Sequence, residues 1–246
     1  MKRALIVTLL VLVADQTLKI WVKTHFFLGE YVPLFGPHSH SGYLQFVEND
    51  GMAFGLRIGG VMGKLMLTLF RIAAVAVIAW ILWRMIQRKR GAWLITSLSL
   101  ILAGALGNII DSAFYGLIFD KGTVFDAMAG QASGYEGIAR LARPGYTSFL
   151  HGSVVDMFYF PLWQGRFPTW LPIWGGEPFE FFRPVFNIAD ASISVGVAMM
   201  ILVRRKHVEA PAHAHAPVGG GTAPFPDNVH STLPPENATA DQASAD

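Results

Sequence analysis

Apolar residues fall into four blocks, with mixed polar and apolar stretches between them. The blocks are 4–22 "ALIVTLLVLVADQTLKIWV", 65–83 "LMLTLFRIAAVAVIAWILW", 92–110 "AWLITSLSLILAGALGNII" and 185–203 "VFNIADASISVGVAMMILV". A helix of that length rises ~28 Å, close to the ~30 Å hydrocarbon core of a bilayer. Inside lipid a single apolar segment satisfies its backbone groups only as a helix. The pattern therefore predicts an all-α polytopic membrane protein with four transmembrane helices. The start, "MKRALIVTLLVLVA", also has the basic end and apolar core of a secretory signal peptide. No small-x-small cleavage site follows, and apolar character resumes through Ile20, Trp21 and Val22, so the block is read as an uncleaved span.

Charge orients these spans. Lys2 and Arg3 precede the first, Arg84, Arg88, Lys89 and Arg90 fill the link between the second and third, and Arg204, Arg205 and Lys206 follow the fourth. Four crossings put all three clusters on one side, which the positive-inside bias makes cytoplasmic, so both termini are expected there. Segments 23–64 and 111–184 then face outward. From His207 the chain turns rich in Pro, Ala and His. It carries five acidic residues and no Lys or Arg, and without it the balance of 19 basic against 17 acidic residues becomes 19 against 12. Such a stretch cannot bury a core. The expected organisation is a membrane domain over 1–206 and a disordered cytoplasmic tail over 207–246.

Polar residues inside the spans share one level. Asp15 lies ~16 Å along the first span, past its midpoint, with Lys19 a turn farther on the same face. Asn108 and Asp111 end the third span, while Asn187 and Asp190 begin the fourth. The outer segments add "LQFVENDGMAFGL" at 44–56 and "HGSVVDMFYF" at 151–160, with Asp156 between valines and aromatics. Polar groups scattered at random have no reason to meet at one depth, so the coincidence points to a site. Gly104, Ala105 and Gly107 in the third span, and Ala189, Ala191, Ser192, Ser194 and Gly196 in the fourth, allow close helix approach within the molecule. Arg71 interrupts the second span in its outer half, and its plain reading is a snorkelling or locally paired arginine.

The chain has no cysteine, which removes disulfides and thiol nucleophiles. HExxH, a phosphate loop and a basic nucleic-acid stripe are also missing from the sequence, so no metal centre, cofactor or nucleic-acid partner is expected. Carboxylate chemistry remains. Two aspartates in a water-poor site share a proton, one taking a proton from water and the other donating to a carbonyl oxygen. The same groups would serve a proton-coupled transporter, or a non-enzymatic membrane binding protein could hold them. Four spans without repeated halves favour a peptidase over a transporter.

Five stretches resemble the lipoprotein signal peptidase (signal peptidase II) family, in that family's order: "DQTLK" at 15–19, "NDGMAF" at 49–54, "GALGNIID" at 104–111, "GSVVDMF" at 152–158 and "FNIADASI" at 186–193. The resemblance implies an aspartyl peptidase of the bacterial cell inner membrane with its site at the periplasmic face. Such an enzyme removes the signal peptide of diacylglyceryl-modified prolipoproteins just before the lipidated cysteine and is blocked by the peptide antibiotic globomycin. It implies Asp156 and Asp190 as the catalytic pair. Asp15, Lys19, Asn49, Gly51, Phe54, Gly107, Asn108, Asp111, Asn187 and Ala189 would form the supporting or substrate-binding shell. It also implies a small extracytoplasmic β-rich platform, no cofactor, membrane lipids as surroundings and a monomeric chain.

Two features depart from the family. Ser112 stands where an arginine is common after "GNIID", leaving Arg71 or Arg183 to supply a cation. The usual gap of about nine residues between that aspartate and the first catalytic one would select Asp120, in "GLIFD". The match of "GSVVDMF" favours Asp156 and makes 121–150 an outer insertion. Residues 158–186 hold eleven aromatics, which suit an interfacial anchor or a greasy wall over the cleft.

Overall fold

The computed structural model describes residues 1–37, 41–49, 60–126, 131–181 and 184–208, all within one compact unit, Met1–Glu209. The expected tail lies outside the described residues from 209 onward, as do Gly51, Phe54 and Arg183.

Each apolar block forms a helix: α1 (Lys2–His25), α2 (Gly60–Gln87), α3 (Ala92–Ile110) and α5 (Ile188–Val208). Between α3 and α5 a π-helical turn (Asp111–Tyr115) and a short α4 (Gly116–Ile118) prolong α3. Among the described residues three stretches are long and apolar enough to cross a membrane: Lys2–His25, Met62–Gln87 and Ala92–Ile118. In α5 the apolar stretch among the described residues is Ile188–Leu202. Large apolar side chains such as Leu9, Leu10, Val13, Phe70, Val77 and Trp83 point outward on α1 and α2. That is the arrangement expected where the solvent is lipid.

Helix α3 packs against α1, α2 and α5. Its contact with α5 needs glycine. A Cβ on Gly104 would strike the Ala189 carbonyl oxygen and lie 2.7 Å from Ile193 Cγ1, and one on Gly196 would lie 2.7 Å from the Ser97 carbonyl oxygen. The intramolecular role expected of these small residues is therefore what the packing uses.

The segments between the apolar blocks, with Val185 and Phe186 at the start of the fourth block, build the sheet. Strands β1 (Tyr31–Pro33), β2 (Tyr43–Asn49), β5 (Val154–Tyr159) and β8 (Val185–Phe186) make one antiparallel sheet in that order. Hairpins β3–β4 (Val124–Asp126, Gln131–Ser133) and β6–β7 (Trp163–Arg166, Pro178–Phe181) stand apart from it. In β5 the period-two alternation sends Val155 and Met157 into a core with Val22, Phe26, Phe46, Tyr115 and Phe119. Asp156, between them, faces the other way, toward the helix ends. Pairing fixes its register: Val47 lies opposite Asp156 and Asn49 opposite Val154.

Candidate active site

Asp156 and Asp190 come from separate elements, and one residue touches both. Asn187 precedes α5 and accepts from Asp190 N through its side-chain oxygen at 2.8 Å. Asp190 Oδ2 accepts from Asn187 N in return at 3.4 Å. This reciprocal arrangement is a capping box, which satisfies N–H groups that a helix start leaves open. The cap leaves Asn187 Nδ2 free to donate to Asp156 Oδ1 at 2.6 Å, and it also lies 3.2 Å from both Asn108 Oδ1 and the Val155 carbonyl. Asn108 Nδ2 then donates to Asp190 Oδ1 at 2.8 Å. Two asparagines thus link the two carboxyl groups. Asp156 is 5% exposed, whereas Asp190 is half-buried. Burial, and next the charge of Asp190, pushes the Asp156 carboxyl up to about 8.

Behind the pair lies an ionic cluster. Lys19 Nζ is 2.9 Å from Asp15 Oδ2 and 2.7 Å from Asp111 Oδ2, and donates to Asn108 Oδ1 at 2.9 Å. Asp15 Oδ1 accepts from Ala189 N at 2.8 Å, so α1 satisfies a second open N–H at the start of α5. Gly107 makes room for this: a Cβ there would sit 2.8 Å from Asp15 Oδ2 and 3.2 Å from Ala189 Cβ. Asp111 Oδ2 accepts from Val155 N at 3.3 Å, tying the end of α3 to the strand that carries Asp156. Buried ions are tolerated only when paired and hydrogen-bonded, and each of these has several partners.

Most residues expected from the sequence therefore converge. Asp15, Lys19, Gly107, Asn108, Asp111, Asn187 and Ala189 surround the two aspartates, and Asn49 lies on β2 opposite Val154, next to the strand of Asp156. Asp120 does not join them. Its Oδ1 accepts from Arg140 N at 2.7 Å, and its N–H donates to the Arg140 carbonyl, which closes the base of the insertion. Ser112 is buried, with its hydroxyl on the Asn108 carbonyl at 3.1 Å, so it replaces no cation.

Sequence reasoning missed Gln16, which donates to Asp111 Oδ1 at 2.8 Å and accepts from Tyr115 OH at 3.1 Å. It also missed the buried Lys23–Glu48 pair. The signal was present: Asp15, Lys19 and Lys23 repeat every four residues along one helix face. The apolar block ends at Val22, one residue short of Lys23.

No group of three or more His, Cys, Asp or Glu side chains among the described residues is arranged to hold a metal. A helical, membrane-integral protein whose polar centre is built from carboxylates is the class that fold and site define. Over residues 7–204 the chain matches the family model Signal peptidase (SPase) II, and it belongs to that family of peptidases. A lipoprotein signal peptidase from Porphyromonas gingivalis is 48% identical over 200 residues, 78% of this chain and 78% of that one. One from Amoebophilus asiaticus is 34% identical over 212 residues, 85% of this chain and 80% of the relative. A solved bacterial membrane enzyme, determined by the in meso method at 1.9 Å resolution, superposes with a TM-score of 0.51 at 21% identity. It covers 84% of this chain and 94% of its own, a likeness of fold.

Proposed function

We propose that this protein is an aspartic endopeptidase that removes the signal peptide from diacylglyceryl-modified prolipoproteins, cutting just before the lipidated cysteine. The observation that carries the catalytic assignment is the pair of asparagine bridges between Asp156 and Asp190. Asp156 keeps its proton at neutral pH, since its carboxyl is pushed up to about 8. Asp190 accepts N–H donors on both oxygens, which fix its carboxyl beside that of Asp156.

In the proposed step, Asp190 takes a proton from a water molecule as its oxygen bonds to the scissile carbonyl carbon. Asp156 gives its proton to the carbonyl oxygen, forming a neutral tetrahedral diol. The diol then collapses: a hydroxyl proton returns to Asp156, the proton on Asp190 passes to the leaving nitrogen, and the C–N bond breaks. No covalent intermediate or cofactor is required.

The setting follows from the same reading. Helix α5 acts as a fourth span in the bacterial inner membrane, both termini and the 207–246 tail are cytoplasmic, and the site opens at the periplasmic face. There the substrate arrives laterally, held by its lipid and its signal helix. Leu162, Trp170, Ile173, Trp174 and Phe181 are exposed on and beside the β6–β7 hairpin. They supply an apolar face at headgroup level among the membrane lipids. The enzyme works as a monomer, and globomycin competes for its cleft.

Cleavage of a diacylglyceryl precursor in liposomes tests the reading, comparing wild type with Asp156→Asn, Asp190→Asn and Asp120→Asn. The first two substitutions are expected to lower the rate by at least ~10⁴-fold, while Asp120→Asn keeps most activity. An active Asp156→Asn beside an inactive Asp120→Asn would overturn the pair. A folded wild type that leaves the precursor intact would overturn the peptidase in favour of a transport or binding role.

A further inference from the structure

Arg71 is a charge in the middle of the apolar helix α2. It lies eleven residues from Gly60 and sixteen from Gln87, ~16 Å and ~24 Å from the two helix ends. A snorkelling arginine would reach along the lipid face toward an interface. This one does not face lipid. Its neighbours Phe70 and Ile72 are exposed, as are Met66, Leu69 and Val77, whereas Lys64, Thr68, Arg71, Val75 and Leu82 form the inward stripe of the helix. That spacing of three, four and seven residues is one helix face.

The stripe is docked next to the site. Lys64 Nζ donates to Ser153 Oγ at 3.2 Å, and Thr68 Oγ1 lies 3.5 Å from the Leu150 carbonyl. Ser153 stands three residues before Asp156, at the entrance to β5. A turn farther along the same face comes Arg71, and the charges acting on its guanidinium are those of Asp190, Asp156 and Asp111, in that order. Among the described residues no carboxylate, those of the pair included, lies within 4 Å of the Arg71 guanidinium, so it acts on the pair through its field and no closer partner neutralises it.

The site has a use for another cation. Four carboxyl groups gather there: Asp15 from α1, Asp111 from the end of α3, Asp156 from β5 and Asp190 from α5. Among the described residues Lys19 is the only cation touching them, and it is held by Asp15, Asp111 and the Asn108 amide oxygen. Lys23 is committed to Glu48, and Ser112 offers only a hydroxyl turned back onto α3. With one proton on the pair, three negative charges face one lysine.

We propose that Arg71 is the positioning residue of the carboxylate pair, its guanidinium on the inward face of α2 holding the pair in the singly charged form that hydrolysis needs. The proposal rests on the aspartic-peptidase reading above. Arg71 acts through the pair and supplies the cation that Ser112 does not.

The test uses the full chain in liposomes with a diacylglyceryl precursor. It compares wild type, Arg71→Met, Arg71→Gln and Arg71→Lys by kcat, KM and the pH dependence of kcat/KM, with thermal stability as a folding check. Losing a cation makes every ionisation of the pair harder. Both limbs of the bell-shaped profile should therefore move to higher pH by about one unit in Arg71→Met and Arg71→Gln. Their kcat should fall by about tenfold or more with KM nearly unchanged, and Arg71→Lys should restore the wild-type limbs. Neutral variants with wild-type kcat and limbs would overturn the proposal. So would a lysine variant whose limbs match those of the neutral ones. If Arg71→Met does not fold, Arg71→Gln and Arg71→Lys still give the comparison. An inactive wild type would instead sink the peptidase reading, which keeps the two failures distinct.

Discussion

An asparagine before a helix ordinarily caps it through its side-chain oxygen. Asn187 does so and then uses its amide nitrogen on Asp156, so the residue that starts α5 also sets the distance between the two carboxyl groups. Burial of Asp156 makes a prediction about pH. In the unfolded chain an aspartate ionises near ~3.9, but here it holds its proton up to about 8. Its contribution to stability is therefore complete below the unfolded value and is lost as pH rises through the folded one. That loss spans the interval between the two values, whereas activity should fall only at its upper end, around 8, where the proton donor disappears. The expected profile of kcat/KM has an alkaline limb near 8 that belongs to the pair. Initial rates of precursor cleavage from about pH 5 to about pH 10 check this, and a rate still flat beyond about pH 9.5 would contradict it. Individual site residues were legible because a carboxylate or amide in an apolar run is costly enough to stand out. Gln16, Glu48 and the inward aim of Arg71 were not: Glu48 lies in a strand outside the apolar blocks, and the partners that Gln16 and Arg71 meet are set by how the helices pack.

Among the elements, the contact between α3 and α5 decides whether the site assembles, since it brings Asn108 to Asn187 and Asp190. Gly104→Ala tests it. Alanine improves helix propensity by up to ~1 kcal/mol. Yet its methyl would strike the Ala189 carbonyl oxygen, a backbone atom of the turn that carries Asp190. Overpacking of that kind costs ~1–3 kcal/mol. The net expectation is a lower unfolding temperature in detergent together with reduced cleavage. Gly91→Ala is the control, because a Cβ there meets nothing within 4 Å, and it should leave both unchanged. An unchanged Gly104→Ala protein would mean the helices are not packed this closely. The helices were visible in the sequence as blocks, to within a few residues at most ends. Less visible were the start of α2, five residues before its apolar block, and the π-helical turn after α3. The sheet was visible least of all. Its β5 is buried at four successive positions, Val154 to Met157, with Asp156 among them, so its two faces are not told apart by a simple apolar–polar alternation. Its partner β2 lies more than a hundred residues earlier, and no local pattern encodes such a pairing.

On the scale of the whole molecule, the stretch after α4 is the part the sequence left without a role, and the structure ties it to α1. Lys23 pairs with Glu48 of β2, and its ammonium lies 5.0 Å from the ring centre of Phe119, 5.4 Å from Tyr135 and 5.3 Å from Tyr146. Glu48 in turn accepts from Thr123 N at 2.6 Å and from Tyr135 OH at 3.0 Å. The insertion is thus clamped by one buried ion pair beneath an aromatic cage. The returning stretch 146–152 runs back along the end of α3, with Thr147 N on the Gly116 carbonyl and Gly152 N on the Ser112 carbonyl. Loosening the clamp should therefore reach the entrance to β5 and Asp156. Lys23→Met leaves Glu48 buried without its cation, a change that typically costs ~3–5 kcal/mol, whereas replacing both partners by neutral groups is often close to neutral. The single variant is expected to speed hydrogen exchange over the described parts of 119–153 and to lower cleavage. The double variant Lys23→Met with Glu48→Gln should recover most of both, because the amide still accepts from Thr123 N or Tyr135. A single variant whose exchange rises only within α1 would show that the insertion is held by its own packing and not by the ion pair. Recovery in the double variant would show that the site depends on a satisfied clamp, whatever its charge.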